Sequence, residues 1–557
     1  MEDVSALAQL EDEMLSCFYA RRPLDAAQLG CQWGRGVMPP VSADACSDLA
    51  RRFTNVRARA NDLLGEDTSP DDRVTLELIA EMCGYEIADL RAESSRYVVS
   101  PLPEAGLSSQ ILVWLPSATI GSSADEELYL ASCRAIPQAL EDSAEELAAG
   151  RLHGQFPVRH LLERACEQID KYLKTPLATD PILSALPRGA AASVLAELTT
   201  IVSERLRPAF ARYVAMLRDD AWPSARGDDR AGIGWLPGGD EIYEQAIVTN
   251  TTLKLSSERV HEIGLGLVAK LRHDAEQIAV ALGWPPSFAK VRDRMRSDPE
   301  LRYADGNSML RDAELAMRRA SAAVPLWITD QPMSECALVP MGTLESPNGV
   351  LGRYETAPMS RSTPARYWLN ILRPSSRATY ETEVLSFHES IPGHHTQISA
   401  SQQLATVSRF RSLVHVLAYS EGWALYMEHF ADEIGLYSSE ISRLGMASFA
   451  LWRACRLVVD TGLHRFRWTR EQAIDYLREN TILTMKNIEN EVDRYIAFPA
   501  SALGYMIGRL AMSSLRSGMI KDPSSPAENR QFFTRLLGSG PLTIRRLETV
   551  MGCRIDI

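Results

Sequence analysis

Three of the ten histidines in this 557-residue chain fall within eight residues, at His388, His394 and His395. Glu389 follows the first of them directly. Two histidines one helical turn apart, with a glutamate after the first, form the HExxH pattern that binds zinc and activates water. Position 392 is proline, so the ordinary pattern is absent. The stretch nevertheless carries the residue types of a zinc hydrolase.

The spacing of these histidines requires the helix to be distorted. On a straight helix His394 is rotated by about 120° from His388, and His395 shares its face but lies roughly 10 Å further along. Pro392 removes a backbone hydrogen bond and clashes with the preceding turn. We therefore predict a bulge or kink that loops out two residues and returns His394 to the face of His388. His395 remains the alternative second ligand.

A third ligand is offered by the segment Tyr419-Ser420-Glu421-Gly422-Trp423, which continues to Glu428. Catalytic zinc sites commonly combine two histidines with a carboxylate and leave a position for water. Apolar residues around Glu421 indicate burial, and a buried carboxylate needs a partner. Glu428 lies two turns further on and is either a ligand or an acid that orients a histidine. His415 and His429 are interpreted as packing residues.

The elements that position these residues are predominantly helical. Apolar residues recur at three- and four-residue spacing over 41–64, 71–96, 124–148, 188–218 and 257–282, and helix is predicted again over 378–434, 437–460, 470–487, 490–516 and 540–551. Ser69-Pro70 and Thr469 are helix-start signals. Short strand signals fall at 323–328, 336–340, 352–356 and 366–372.

These patterns predict a mainly α fold with a small antiparallel β-sheet beside the active-site helix. We expect a helical region, 1–322, that contributes to a cleft, and a catalytic region, 323–557, the two forming one integrated unit.

Composition excludes several classes of protein. A formal net charge of −13 without a lysine- and arginine-rich stripe argues against nucleic acid as a partner. The sequence contains no run of eighteen apolar residues, so it predicts no membrane span. The acidic start is not followed by the apolar segment of a signal peptide, and a cytoplasmic location is therefore expected. Nine scattered cysteines without a CxxC pair indicate reduced thiols. A serine hydrolase is disfavoured because no Gly-x-Ser-x-Gly elbow occurs.

Three motifs, in order, resemble the landmarks of a bacterial family called domain of unknown function 885, which is grouped with the zincin metallopeptidases: FHESIPGHHTQ, YSEGWALYMEHF and EVDRYIAFPASALGYMIGRLAM. Residues 234–265 and 352–374 are also similar to segments of that family. The resemblance implies a mostly helical metallopeptidase-like fold, zinc at His388, His394 and Glu421, and Glu389 as general base. Members usually carry Pro-Gly-Gln-Ala where this chain has Pro-Ala-Ser-Ala at 499–502, which leaves the substrate open.

The chemistry expected of such a site is hydrolysis of an amide. Glu389 takes a proton from water and passes it to the leaving amine. Tyr495, with Arg494, is the candidate donor to the oxyanion, and Tyr505 and His395 are further candidates. Substrate backbone or carboxylate binding is assigned to residues of the predicted strands, which are Arg353, Tyr354 and Asn370.

The first hypothesis is a zinc peptidase or amidase that acts on short peptides or peptide-like small molecules. His₂Glu ligation favours one Zn²⁺, with manganese or iron as alternatives. Two other functions remain open: a metal-dependent, non-proteolytic step of small-molecule biosynthesis, and a catalytically silent binding protein. Retention of Glu389 speaks against the silent protein, which needs no general base.

Overall fold

The structure is a computed structural model that describes residues 5–331, 333–341, 351–358, 363–404 and 408–557. The fold is mainly α with one small sheet, as predicted. Within the described residues, none of the helices combines the length and the apolar character that crossing a membrane requires.

Fourteen helices precede the sheet in the described part of the chain. They are α1 (Ala6–Arg21), α2 (Pro23–Leu29), α3 (Ala43–Asp62), α4 (Pro70–Arg91), α5 (Leu107–Val113), α6 (Ser123–Leu152), α7 (Arg159–Lys174), α8 (Pro181–Ser184), α9 (Ala192–Thr200), α10 (Arg207–Met216), α11 (Gly239–Thr251), α12 (Ser257–Ala281), α13 (Phe288–Ser297) and α14 (Gly306–Trp327). The start signal at Ser69 is confirmed, because its hydroxyl accepts from the Asp72 backbone at the first turn of α4.

Ten helices follow the sheet in the described residues. They are α15 (Thr382–Glu389), α16 (His394–Gln403), α17 (Arg409–Leu413), α18 (Leu417–Glu433), α19 (Glu440–His464), α20 (Arg470–Asn480), α21 (Met485–Ala497), α22 (Leu503–Met519), α23 (Pro526–Gly538) and α24 (Ile544–Met551). Thr469 and Gln472 form a reciprocal capping box at the start of α20, which confirms that signal.

Two predictions of a long uninterrupted helix are wrong, because each stretch is divided in the structure. The stretch 378–434 is divided among α15 to α18, and 490–516 is divided between α21 and α22. The second break contains Ala500 with φ 63°, a left-handed conformation that no helix interior accommodates. Its backbone N–H is held by the carboxylate of Asp460, 3.1 Å away.

The strand predicted at 323–328 is also wrong, because these residues form the end of α14. Buried Ala313, Ala316, Ala320 and Val324 continue one helical stripe into this segment. Packing of that stripe outweighs the local strand preference of a β-branched and aromatic run.

The sheet contains β1 (Cys336–Pro340), β2 (Gly352–Glu355) and β3 (Ala365–Leu369) in the order β1-β3-β2. β2 pairs with β3 antiparallel, as predicted, but β1 pairs with β3 in parallel. The antiparallel prediction is therefore wrong for that pair. Consecutive strands joined by hairpins would all pair antiparallel. Here β3 lies between β1 and β2, so the sheet contains one parallel and one antiparallel pair.

The N-terminal and C-terminal helices pack into a shared core. One buried cluster joins Leu10 and Phe53 with Trp423, Phe430 and Phe533. Residues of the predicted regions 1–322 and 323–557 therefore contribute to the same hydrophobic interior, and that interior carries α15, α16 and α18.

Candidate metal site

The histidine stretch folds as two short helices with a break between them. α15 ends at Glu389, the Ile391–Pro392 peptide is cis, and α16 begins at His394. The predicted bulge within one helix is thus replaced by a full break. The consequence for the histidines is the one that was predicted, since the His388 and His394 rings lie 4.9 Å apart.

Two contacts stabilise this break. The indole N–H of Trp423 donates to the carbonyls of Pro392 and Gly393, both at 3.0 Å. A Cβ on Gly393 would lie 1.9 Å from the carbonyl oxygen of His388, so only glycine fits there. Trp423 belongs to α18, which therefore positions the break and carries Glu421.

The structure brings His388, His394 and Glu421 together, and we call these three residues the metal group. One ligand atom from each lies within 4.8 Å of the others. Both Nε2 atoms lie 3.5 Å from Oε2 of Glu421. Two ligands at about 2.1 Å from one tetrahedral ion are about 3.4 Å apart, so the spacing suits zinc. Oε2 of Glu421 is also buried without a hydrogen-bond partner, as a ligand awaiting a cation would be.

Glu428 orients the first histidine. Its Oε1 lies 2.7 Å from Nδ1 of His388, and the carboxylate is 1% exposed. A carboxylate that accepts the Nδ1 proton leaves Nε2 free to face the metal group. Of the two roles left open for Glu428, the geometry favours the orienting acid.

Electrostatics in the metal group favour positive charge. Burial lowers the pKa of His388, but the close contact with Glu421 and the hydrogen bond with Glu428 outweigh burial and raise it to about 9. Burial raises the pKa of Glu421, whereas the charge of His394 and the close contacts with both imidazoles hold it well below the usual range. The buried carboxylates attract cations here, whether protons or a divalent ion.

Glu389 lies beside the metal group without belonging to it. Burial raises its pKa, while His388 and His394 act in the opposite direction. The backbone of Tyr354 on β2 donates a hydrogen bond to its carboxylate. This places a carboxylate near the two histidines and ties it to the sheet.

Both ring nitrogens of His395 form hydrogen bonds outside the metal group. Its Nε2 lies 2.8 Å from the carbonyl of Ser334, so Nε2 carries the proton and donates. Its Nδ1 then accepts from the Tyr354 hydroxyl, 3.1 Å away. With both nitrogens occupied, His395 links α16 to the sheet, and the structure does not bring it into the metal group.

Tyr495 lies in a different environment from the predicted one. It is 0% exposed, and its hydroxyl donates to Glu491 at 2.7 Å and accepts from Trp452 and Arg456 at 3.3 Å. These bonds saturate the phenol inside a packed core. The structure does not bring it to the metal group.

Tyr505 interacts electrostatically with the metal group, and Arg494 contacts Tyr505. The charge of Glu421 acts on Tyr505, and burial together with that charge raises the Tyr505 pKa. Nη2 of Arg494 lies 3.5 Å from the Tyr505 oxygen. Because Arg494 can only donate, the phenolic proton of Tyr505 remains available.

Two of the predicted substrate-binding residues are placed elsewhere. Asn370 is fully buried, and its Oδ1 accepts from the Leu372 backbone in a turn. Arg353 contacts Glu355 and the Trp368 ring, on the face of the sheet opposite to Tyr354. Tyr354 is the strand residue that reaches the histidines, since its ring stacks on His394 at 6.4 Å.

His415 is a residue at the site that the sequence interpretation left among packing residues. It lies in the segment between α17 and α18, where desolvation by the surrounding protein lowers its pKa and the charges of Glu421 and His394 act on it. Its position six residues before Glu421 was the available signal. His429 lies apart from the metal group, 3.4 Å from Glu433 on the same helix.

Comparison with known proteins extends this picture. The sequence profile of the family "Bacterial protein of unknown function (DUF885)" matches residues 23–551. A crystal structure of a candidate lipoprotein from Colwellia psychrerythraea superposes with a TM-score of 0.89 at 23% identity, covering 99% of both chains. A candidate lipoprotein of unknown function from Shewanella oneidensis gives a TM-score of 0.75 at 16% identity, covering 98% of this chain and 100% of that one. No curated protein matches.

Proposed function

This chain belongs to the bacterial DUF885 family, and we propose that it is a metal-dependent hydrolase that cleaves amide bonds in short peptides or peptide-like small molecules. The observation that carries the proposal is the orphaned Oε2 of Glu421, 3.5 Å from Nε2 of both His388 and His394. Three convergent ligand atoms with an orienting carboxylate, Glu428, match the donor set of catalytic zinc sites, and this match supports the proposal.

The metal group would hold one divalent ion, for which zinc suits two imidazoles and a carboxylate best. Such an ion, when bound, lowers the pKa of water and polarises the scissile carbonyl. Glu389 accepts the proton of the attacking water and delivers it to the leaving amine. The raised pKa of Glu389 suits a group that must both take and return a proton.

The hydroxyl of Tyr505 takes the role first considered for Tyr495. The charge of Glu421 acts on this hydroxyl, and Arg494 donates to its oxygen, so the phenolic proton is free to donate. It therefore donates to the oxyanion that develops on the substrate carbonyl. His395 and Tyr354 are positioning residues in this scheme, because they tie α16 to the strand that bonds Glu389.

Cytoplasmic location and the peptide-like substrate stay predictions from the sequence. The neighbours from Colwellia and Shewanella share the fold.

The test is metal analysis of the purified protein. Wild type should contain about one equivalent of a divalent metal per chain, and His388→Ala and Glu421→Ala should lose it. His429→Ala is the matched control, because this histidine lies on the same helix as Glu421 but outside the metal group. Full metal content in both site variants would contradict the proposal.

A further inference from the structure

Two arginines contact the Tyr505 side chain, and a third lies one helical turn from the first of them. The guanidinium carbon of Arg456 lies 4.5 Å from the centre of the Tyr505 ring, and Nη2 of Arg494 lies 3.5 Å from its hydroxyl. Arg453 precedes Arg456 by three residues on α19 and interacts electrostatically with the same phenol. We call Arg453, Arg456 and Arg494 the arginine group.

Among the described residues, one of the three arginines is ion-paired with a carboxylate. Arg456 has a carboxylate partner, since its Nη2 lies 2.9 Å from Oε2 of Glu491. Among the described residues, Arg453 and Arg494 have no carboxylate oxygen within 4.0 Å. Arg453 is only 5% exposed, and its Nε and Nη1 are buried without a hydrogen-bond partner. Nη1 of Arg456 is likewise unpartnered.

Arg453 stacks on the rings of Phe449 and Trp452, but its buried N–H groups still lack an acceptor, and such groups are costly unless an anion completes them. The planar fork of arginine matches a carboxylate, which accepts two parallel N–H bonds. The charge balance points the same way. Glu491 is the acid that is ion-paired with one of the three arginines, and the exposed Glu104 acts on Arg494 at longer range, whereas Glu421 belongs to the metal group and Glu428 is engaged by His388.

We propose that the arginine group binds the free C-terminal carboxylate of a peptide substrate, so that the enzyme removes residues from the C-terminal end of short peptides. This inference rests on the proposed function and specifies its substrate class. Tyr505 lies on α22, which packs closely against the helix of Glu421, α18, and Arg456 and Arg494 both contact the Tyr505 side chain. A carboxylate bound by the arginine group therefore lies on the Tyr505 side of the metal group, and the scissile amide precedes it in the peptide.

The experiment compares two matched libraries of N-acetylated tripeptides, one ending in the free acid and one in the C-terminal amide. The wild-type holoenzyme should cleave the acids with a kcat/KM about 10- to 100-fold higher, mainly through KM, as expected for charge-assisted hydrogen bonds. Arg494→Met should abolish this preference, because KM should rise for the acids and not for the amides, whereas any loss of kcat through the contact with Tyr505 should be shared by both libraries. Arg443→Met is the control, because Arg443 lies on α19 but is paired with Asp432 at the surface.

Two variants of Arg453 provide a second test. Arg453→Met should reduce the preference for acids, and Arg453→Lys should recover part of it by keeping the charge. If Arg453→Met does not fold, the Arg494→Met result decides. Equal cleavage of acids and amides by wild type would overturn this inference and leave the proposed function intact. A preference that follows an internal Asp or Glu in the amide library would also overturn it.

Binding provides a readout that does not depend on turnover. Glu389→Gln protein, titrated calorimetrically with the two libraries, should bind the acids more tightly by the same factor. If wild type contains metal but cleaves neither library, the proposed hydrolysis fails, and this titration alone decides the inference. Equal affinity for acids and amides would then reject the carboxylate site.

Discussion

Oε1 of Glu428 lies 2.7 Å from Nδ1 of His388, and this contact fixes which nitrogen of His388 faces the metal group. Glu428→Gln should therefore weaken metal binding by about 10- to 100-fold, because the neutral amide orients the imidazole less firmly and reduces its basicity. Metal affinity is measured by competition with a chelator. Glu433→Gln on the same helix is the control, and equal affinity in both variants would show that the contact has no part in metal binding.

Replacing His394 and replacing His395 should have different effects. His394→Ala removes an atom 3.5 Å from Oε2 of Glu421, so we expect loss of bound metal. His395→Ala should keep the metal, because its nitrogens bond Ser334 and Tyr354. It should lower turnover instead, and Tyr354→Phe should do so to a similar degree. Metal content and kcat are the readouts; loss of metal in His395→Ala alone would reverse the ligand assignment.

The packing of α18 against α22 depends on two glycines. A Cβ on Gly508 would lie 1.9 Å from the carbonyl of Ala418, and one on Gly422 would lie 2.6 Å from the Gly508 backbone. Gly508→Ala should therefore lower the free energy of unfolding by about 1–3 kcal/mol. It should also lower turnover, because Glu421 and Tyr505 lie on these two helices.

The control for this change is Gly266→Ala in α12, where an added Cβ meets nothing within 4 Å. This variant should be neutral or more stable by about 0.5–1 kcal/mol, because alanine is the better helix former. Chemical denaturation measures both variants. A destabilised Gly266→Ala together with an unaffected Gly508→Ala would contradict the packing argument.

His160 should make stability depend on pH. Its nitrogens lie 2.7 Å from Asp228 and 2.9 Å from Asp493, which also contacts Arg164 and Arg470. Burial lowers the pKa of His160, but the two carboxylates outweigh burial and raise it. A raised pKa in the folded state stabilises below the unfolded value of about 6.5 and loses that contribution as pH rises through the folded value.

The measurement is the difference in unfolding free energy between wild type and His160→Gln. It should be largest between about pH 4, where the aspartates are ionised, and pH 6.5, and it should shrink as pH rises further. A difference that grows with pH would mean that His160 is stabilised as the neutral form. His273→Gln, at an exposed histidine, is the control for replacing an imidazole by an amide.

Residue types and spacing were sufficient to place the metal group. His388, the break at Pro392-Gly393 and the acidic helix at Glu421 follow from the types of residue that bind metal and from the helical repeat. Their relative geometry depends on Trp423, whose indole bonds to the carbonyls of the break from another helix. Such a long-range contact leaves no local pattern.

The differences between the sequence interpretation and the structure have the same origin. Tyr495 and Tyr505 are both tyrosines in the same motif, and only tertiary packing decides that the first bonds Glu491 while the charge of Glu421 acts on the second. The strand predicted at 323–328 failed because the buried stripe of α14 extends through it. The parallel pairing of β1 and β3 depends on strand order, which local propensity does not encode.

The central claim is that Glu389 acts as the general base beside a bound metal, and the most direct measurement is the turnover of Glu389→Gln with its metal content determined on the same sample. The amide cannot accept a proton from water. We therefore predict an unchanged metal content, an unchanged melting temperature and a kcat reduced by about 10²–10⁴-fold. Near-normal turnover in a fully metal-loaded Glu389→Gln protein would contradict the mechanism.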